Sequence, residues 1–186
     1  MARSEKEKML AGELYRASDP ELVALRVSAR GLLALYNATE PGPGERRQQL
    51  LRELLGAVGT MVEIEPPFFC DYGSQIYAGE GFYLNTGCVI LDCAPVTIGT
   101  NVLCAPGVHI YTATHPTEPA LRRSGLELAA PVTIGDNVWL GGKAIVCPGV
   151  TIGQNTTIGA GSVVVKSIPA NVIAAGNPCR VLRHLD

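Results

Sequence analysis

The sequence predicts a mainly β fold, a parallel β-helix of hexapeptide repeats behind an α-helical cap. Three observations predict it. Set in rows of six from Ile134 to Pro169, two columns become apolar or small. The first holds Ile134, Leu140, Val146, Ile152, Ile158 and Val164; the second, four residues on, holds Val138, Ala144, Val150, Thr156, Ser162 and Ile168. Glycine follows the first column at Gly135, Gly141, Gly153 and Gly159. A fixed short period marks a solenoid, in which each unit buries its face only against its neighbours. The second observation is composition. Hydrophobic residues make up 47% of the 186 residues and aromatics only 5%, which suits a narrow core with little room for rings. The third is that residues 1–57 lack the period and carry helix signals instead.

In chain order, Ser4 and Glu7 form a capping box ahead of Met9, Leu10 and Leu14. Ser18-Asp19-Pro20-Glu21 starts a second helix, with Leu22, Leu25, Ala29, Leu32, Leu33 and Tyr36 at helical spacing. Residues 37–44, NATEPGPG, break it, and Glu45–Leu55 forms a third helix ended by Gly56. Val62 and Ile64 then alternate with charged residues as a strand does. The six-row frame appears at Ala78, Leu84 and Ile90, with Phe82, Cys88 and Ala94 in the second column. It slips by two at Val96-Thr97, which predicts a corner with extra residues. It resumes at Ile98, Cys104 and Ile110, with Val102 and Val108. From Thr112 to Pro131 it breaks, and a loop that long within a compact repeat is a candidate site wall. The expected organisation is a helical cap over 1–57, a β-helix over 58–173 with the loop 112–131 inserted, and a basic tail over 174–186.

A formal net charge of −2 gives no electrostatic case for nucleic acid or membrane partners. No apolar run approaches the ~20 residues of a membrane span. The opening MARSEKEKML has no apolar core, so no signal peptide is expected there. None of the six cysteines forms a CxxC pair, and Cys88 and Cys104 fall in the apolar columns. Buried free thiols in a reducing cytoplasm are the expectation.

A β-helix is filled by its own side chains, so chemistry must sit on loops, at coil ends or between copies. Of three histidines, His109 follows an inward valine and points outward, and His184 lies in the basic tail. His115, in Thr114-His115-Pro116, opens the frame break. Histidine is the residue type suited to accept a proton from a hydroxyl at ordinary pH, so His115 is either a general base or an incidental loop residue.

The chain resembles the maltose and galactoside O-acetyltransferases over almost its whole length. The resemblance is carried by Lys8-Met9-Leu10-Ala11-Gly12-Glu13-Leu14-Tyr15, Ile64-Glu65-Pro66-Pro67-Phe68 and Cys70-Asp71-Tyr72-Gly73. It continues through Val89-Ile90-Leu91-Asp92, the run from Ala105 to Pro116, Asp136-Asn137-Val138-Trp139 and Ala175-Gly176-Asn177-Pro178. It implies a left-handed β-helix, a homotrimer with active sites at subunit boundaries, and direct acetyl transfer from acetyl-CoA to a sugar hydroxyl, commonly the 6-hydroxyl, with no metal required. It implies His115 as general base, an N–H near Gly142 for the oxyanion where the family often has serine, and Glu127 either orienting the imidazole or standing as a solvated loop charge. Asp71, Asn85 and Arg26 match acceptor contacts, and Asp92 is equally a turn cap. Trp139, Gly142, Ala160, Val165, Lys166, Arg180 and Arg183 match acetyl-CoA contacts, with Trp139, Gly142, Ala160 and Lys166 expected along one groove. The galactoside branch carries acids at the places of Cys93 and near Ala17, and their absence points to the maltose or glucose branch. Other readings are a galactoside or non-sugar alcohol acceptor, an inactive scaffold, or a β-helical carbonic anhydrase needing three convergent histidines.

Overall fold

The structure, a computed structural model, describes residues 3–40 and 44–186; residues 41–43 of the NATEPGPG breaker lie outside the described residues. Three helices come first: α1 (Glu5–Leu10), α2 (Pro20–Asn37) and α3 (Glu45–Leu54). The Ser4–Glu7 capping box closes α1 in both directions, and Asp19 caps α2 with Pro20 in its first turn. Tyr15 and Arg16 depart from the helical reading. Gly12, at φ 71°, turns the chain out of α1, and Tyr15–Arg16 becomes a short strand.

From Ala57 the chain winds into a left-handed β-helix of three flat faces. The first face carries Ala57–Val58, Ile76–Ala78, Val96–Ile98, Val132–Ile134 and Thr151–Ile152. The second carries Glu63–Ile64, Tyr83–Leu84, Leu103–Cys104, Trp139–Leu140, Thr157–Ile158 and Val172–Ala175. The third carries Phe68–Cys70, Cys88–Leu91, His109–Tyr111, Ile145–Val146 and Val163–Val164. Pairing within each face is parallel, so like residues stack, as Ile90 does on Cys70 and Ile110 on Ile90. Both expected columns point inward, and Ile134, Leu140, Ala144, Val146, Ile152, Ile158 and Val164 are essentially inaccessible. The polar members of the second column are satisfied. Thr156 Oγ1 donates to the Pro169 carbonyl at 2.9 Å, and Ser162 Oγ accepts from the Gly176 N–H at 3.1 Å.

Two corners differ in kind. Between the first and second faces, Asn101, Asn137, Asn155 and Asn171 all take left-handed conformations, at φ 55°, 56°, 56° and 56°. Asparagine tolerates this region because its short amide bonds locally. Here the amides also bond to one another up the prism, Asn101 to Asn137 at 3.4 Å, Asn137 to Asn155 at 3.0 Å and Asn155 to Asn171 at 2.8 Å. The corner between the third and first faces is longer in the early coils. Tyr77 pairs with Thr97 twenty residues on, whereas Thr133 pairs with Thr151 eighteen residues on. The two extra residues account for the slip before Val96. Asp92 fills this corner, and its buried carboxylate accepts from the N–H groups of Asp71 (3.0 Å), Tyr72 (2.8 Å) and Gln75 (3.2 Å) in the coil below. It caps, from its own coil, the same corner of the coil below.

The stretch 112–131, expected as a loop, is an ordered hairpin. Ala113–Thr114 pairs antiparallel with Leu126–Ala129, and α4 (Pro119–Arg123) sits at its tip with Glu118 as N-cap. Tyr15–Arg16 adds a third strand beside Leu126–Ala129. The tail differs as well. Ala174 is still inward and inaccessible, and Arg180–His184 folds back antiparallel on Val172–Ala175. That hairpin covers the open edge of the second face with a charged strand, which blocks edge-to-edge pairing.

Asn155→Val is expected to lose about 2–4 kcal/mol in denaturant unfolding and Asn155→Gly about 1, because valine resists positive φ and glycine loses only the ladder bonds. Equal losses would refute the conformational share. Burial pushes the Asp92 carboxyl up to about 6 against its backbone donors. The folded protein therefore holds this proton more tightly than the unfolded chain, and the group withdraws stability as pH rises from about 4 to about 6. Asp92→Asn is expected to melt lower at neutral pH, by about 1–3 kcal/mol of stability, with a flatter dependence between pH 4 and 6. A melting curve with wild-type midpoint and slope would rule this out.

Candidate active site

The corner held by Asp92 presents Asp71 and Tyr72 outward. α2 passes over it and supplies Arg26 and Arg30. The hairpin supplies Ala113 and Glu127. Together with Ala17 and Cys93 these side chains line a cavity of about 290 Å³. Arg26 is fixed within it. Its guanidinium donates to the Tyr72 hydroxyl and to the Ala17 carbonyl, each at 2.6 Å, and stands 5.6 Å from the Tyr72 ring centroid. Asp71 Oδ2 accepts from the Cys93 thiol at 3.5 Å. Burial raises the Asp71 carboxyl above its ordinary range, while the Cys93 bond and the charges of Arg26 and Arg30 pull it down. The site thus offers a half-buried carboxylate and a guanidinium with fixed directions, the equipment needed to read hydroxyl groups.

His115 follows the strand Ala113–Thr114 and is exposed, beside the buried Pro116. Arg122 holds this segment by donating to the carbonyls of Pro116 (3.2 Å) and Thr117 (3.3 Å). The hairpin register pairs Ala113 with Ala129 and Thr114 with Leu128, and that register continued one step past the strand's end would set His115 across from Glu127. Residues opposite one another on an antiparallel pair share a face. Among the described residues no hydrogen bond joins the two; Glu127 Oε2 instead accepts from the Tyr15 hydroxyl at 3.1 Å. Tyr15 is inaccessible, and burial drives its phenol well above the ordinary range. The sequence reading overlooked Tyr15, and the cavity-lining Arg30 with it.

The remaining expected residues lie elsewhere. Asn85, Gly142 and Ala160 lie at the corner between the second and third faces; Gly142 and Ala160 share one row, and Asn85 stands in the neighbouring row with Gly141. Asn85 Oδ1 is engaged by the Thr86 N–H at 2.8 Å. The Gly142 carbonyl accepts from Gly161 at 2.8 Å, whereas the Gly142 N–H meets no backbone acceptor among the described residues. A Cβ at Gly142 would find only ordinary contacts, the nearest 3.5 Å away, so the position has room for a β-carbon. Trp139 is half-exposed on the second face, stacked between Leu103 and Thr157. Arg183 pairs with Ile173 on the terminal strand, and Arg180 starts that strand. Val165 and Lys166 are exposed and follow the third face, at the corner that also bears Asp71. Lys166 therefore does not share a groove with Trp139, Gly142 and Ala160 in one chain. The cause is the coil length: Ala160 and Lys166 are one row apart, and one row is one face of the prism. Between the two corners lies the third face, with Phe69, Val89, His109 and Ile145 outward. His109 bonds to the Tyr111 hydroxyl. Among the described residues no group of three or more His, Cys, Asp or Glu side chains is placed to hold a metal ion.

Two family models match this chain. The maltose acetyltransferase hexapeptide capping motif covers residues 8–59, and the bacterial transferase hexapeptide of six repeats covers residues 131–166. A maltose O-acetyltransferase from Clostridium difficile 630 superposes with a TM-score of 0.98 at 49% identity, over 100% of both chains. A galactoside acetyltransferase in complex with coenzyme A superposes with a TM-score of 0.95 at 42% identity, over 100% of this chain and 92% of the other. Nodulation protein L of Rhizobium leguminosarum bv. viciae is 53% identical over 97% of this chain and 95% of its own length. The chain belongs to the maltose/galactoside O-acetyltransferase family of hexapeptide-repeat acetyltransferases.

Proposed function

We propose that this protein transfers acetyl from acetyl-CoA to a hydroxyl of glucose, maltose or a related sugar, in a site shared by neighbouring copies of the chain. The observation that carries the reading is the polar cavity of Arg26, Asp71 and Glu127 lying under the hairpin that bears His115. The division of the remaining residues supports the sharing. Asp71, Arg26 and the hairpin with His115 stand on one prism edge, while Asn85, Gly142 and Ala160 stand on another, with the third face between them. A single prism cannot close that gap, but a cyclic trimer sets one edge of each copy against the other edge of the next and makes three sites.

In such a site the His115 imidazole takes the proton of the acceptor hydroxyl as its oxygen attacks the thioester carbonyl. The Gly142 N–H donates to the oxyanion of the tetrahedral intermediate. Collapse breaks the carbon–sulfur bond, and the imidazolium returns the proton to the departing thiolate, giving CoA and the acetyl ester. Glu127 holds the imidazole from across the hairpin. Asp71, Asn85 and Arg26 direct the acceptor. Trp139, Ala160 and the backbone at Val165 flank the pantetheine arm, and Lys166, Arg180 and Arg183 meet the phosphates.

Thiol release from acetyl-CoA with glucose, maltose and galactosides as acceptors, followed by mass spectrometry of the products, identifies the acceptor. His115→Ala is expected to lose roughly 10²–10⁴-fold in kcat with acetyl-CoA affinity little changed; equal turnover would overturn the general-base role. Arg180→Ala is expected to raise KM for acetyl-CoA several-fold at low salt and less at high salt, as a screened phosphate contact must. An unchanged KM would remove Arg180 from the cofactor site.

A further inference from the structure

Tyr15 is a buried group of this region, bonded to Glu127, that the reaction as written does not use. It comes from the N-terminal cap, far from the hairpin in sequence, and lies edge to edge with it as the outer strand of the small sheet. Its ring is inaccessible, packed in a cluster with Met9, Leu22, Tyr72, Cys93 and Ala129. Its hydroxyl donates to Glu127 Oε2 at 3.1 Å. The other Glu127 oxygen has no hydrogen-bond partner among the described residues, and Glu127 precedes Leu128, the register partner of Thr114, the residue before His115. A carboxylate on a three-bond stem rotates freely unless one oxygen is tied, and a buried phenol on a rigid ring ties it at little entropic loss.

We propose that Tyr15 is a positioning residue for acetyl transfer: its hydroxyl holds one oxygen of Glu127 so that the other is directed across the hairpin to the His115 imidazole. This inference rests on the proposed role of His115 as base. It gives the N-terminal cap a part in the chemistry, because the strand Tyr15–Arg16 aligns the acid that aligns the base. The Cys93 thiol, which touches the same phenol and donates to Asp71, links the arrangement to the acceptor side of the cavity.

The test is a double-mutant cycle between Tyr15→Phe and Glu127→Ala in the full-length protein, with the preferred acceptor and acetyl-CoA. Tyr15→Phe keeps the ring and its packing and removes only the hydroxyl. It is expected to lower kcat about tenfold, the usual worth of a hydrogen bond to a charged group, with KM for acetyl-CoA unchanged. In the Glu127→Ala background the same change is expected to alter kcat less than twofold. A Tyr15→Phe enzyme with wild-type kcat would overturn the proposal. An equal loss in both backgrounds would also overturn it, since that is the mark of packing. A melting temperature and acetyl-CoA KM near wild type show that the variant is folded. His115→Ala assayed alongside separates the two claims. If it is inactive while Tyr15→Phe is normal, only the role of Tyr15 fails; if it is fully active, the base assignment and the role of Tyr15 fail together.

Discussion

Everything in this molecule depends on the coils keeping one register. Each coil bonds to the next through backbone N–H and C=O groups on three faces, at the ~4.8 Å spacing of paired strands. That spacing puts like positions directly above one another, so one wrong inward residue disturbs a whole column. The columns are aliphatic or small for that reason. The corners must also repeat, which explains why four asparagines share a left-handed conformation and bond into one ladder. A chain built this way has stiff faces and little freedom to move groups toward a substrate.

The polar cavity forms where the repeat is relaxed. The corner at Asp71 is two residues longer than those of later coils, and Asp92 from the next coil organises it. The hairpin 113–129 interrupts the same edge two coils after Asp71 and one after Asp92. The helical cap then closes over both, with Arg26 reaching down from α2 and Tyr15 joining the hairpin as a strand. Extended corner, insertion and cap all converge on one cavity. The opposite edge stays regular, and the coils on either side set the position of the Gly142 backbone there.

The fold was legible to a large extent before any coordinates. Six consecutive rows named nearly every core residue of the later coils, and the slip at Val96 marked the long corner. The helix starts at Ser4 and Asp19 were legible because capping is local. Tyr15–Arg16 and the two hairpin strands were not, because each is short and its partner is remote in sequence; nothing within a local window separates such a strand from a loop. The asparagine ladder left a trace at Asn137, Asn155 and Asn171, but a trace of spacing alone does not reveal a left-handed backbone. Among the site residues, Asp71, Arg26 and Glu127 do meet in one cavity. Lys166 and Val165 fall on a different edge from Gly142 and Ala160, since one row of six advances the chain by one face.

The sequence by itself determined the repeat, the inward columns, the place of the interruption and the chemical types at each site position. These are properties of spacing and residue identity, and a solenoid reads them coil by coil. Only the tertiary structure decided which edge each site residue occupies and that Tyr15, not His115, is the group bonded to Glu127 within one chain. It also decided that the cap and the hairpin form one small sheet. The contacts of Tyr15 and of its strand with the hairpin join segments more than a hundred residues apart, where chain closure and packing, not local preference, select the partner.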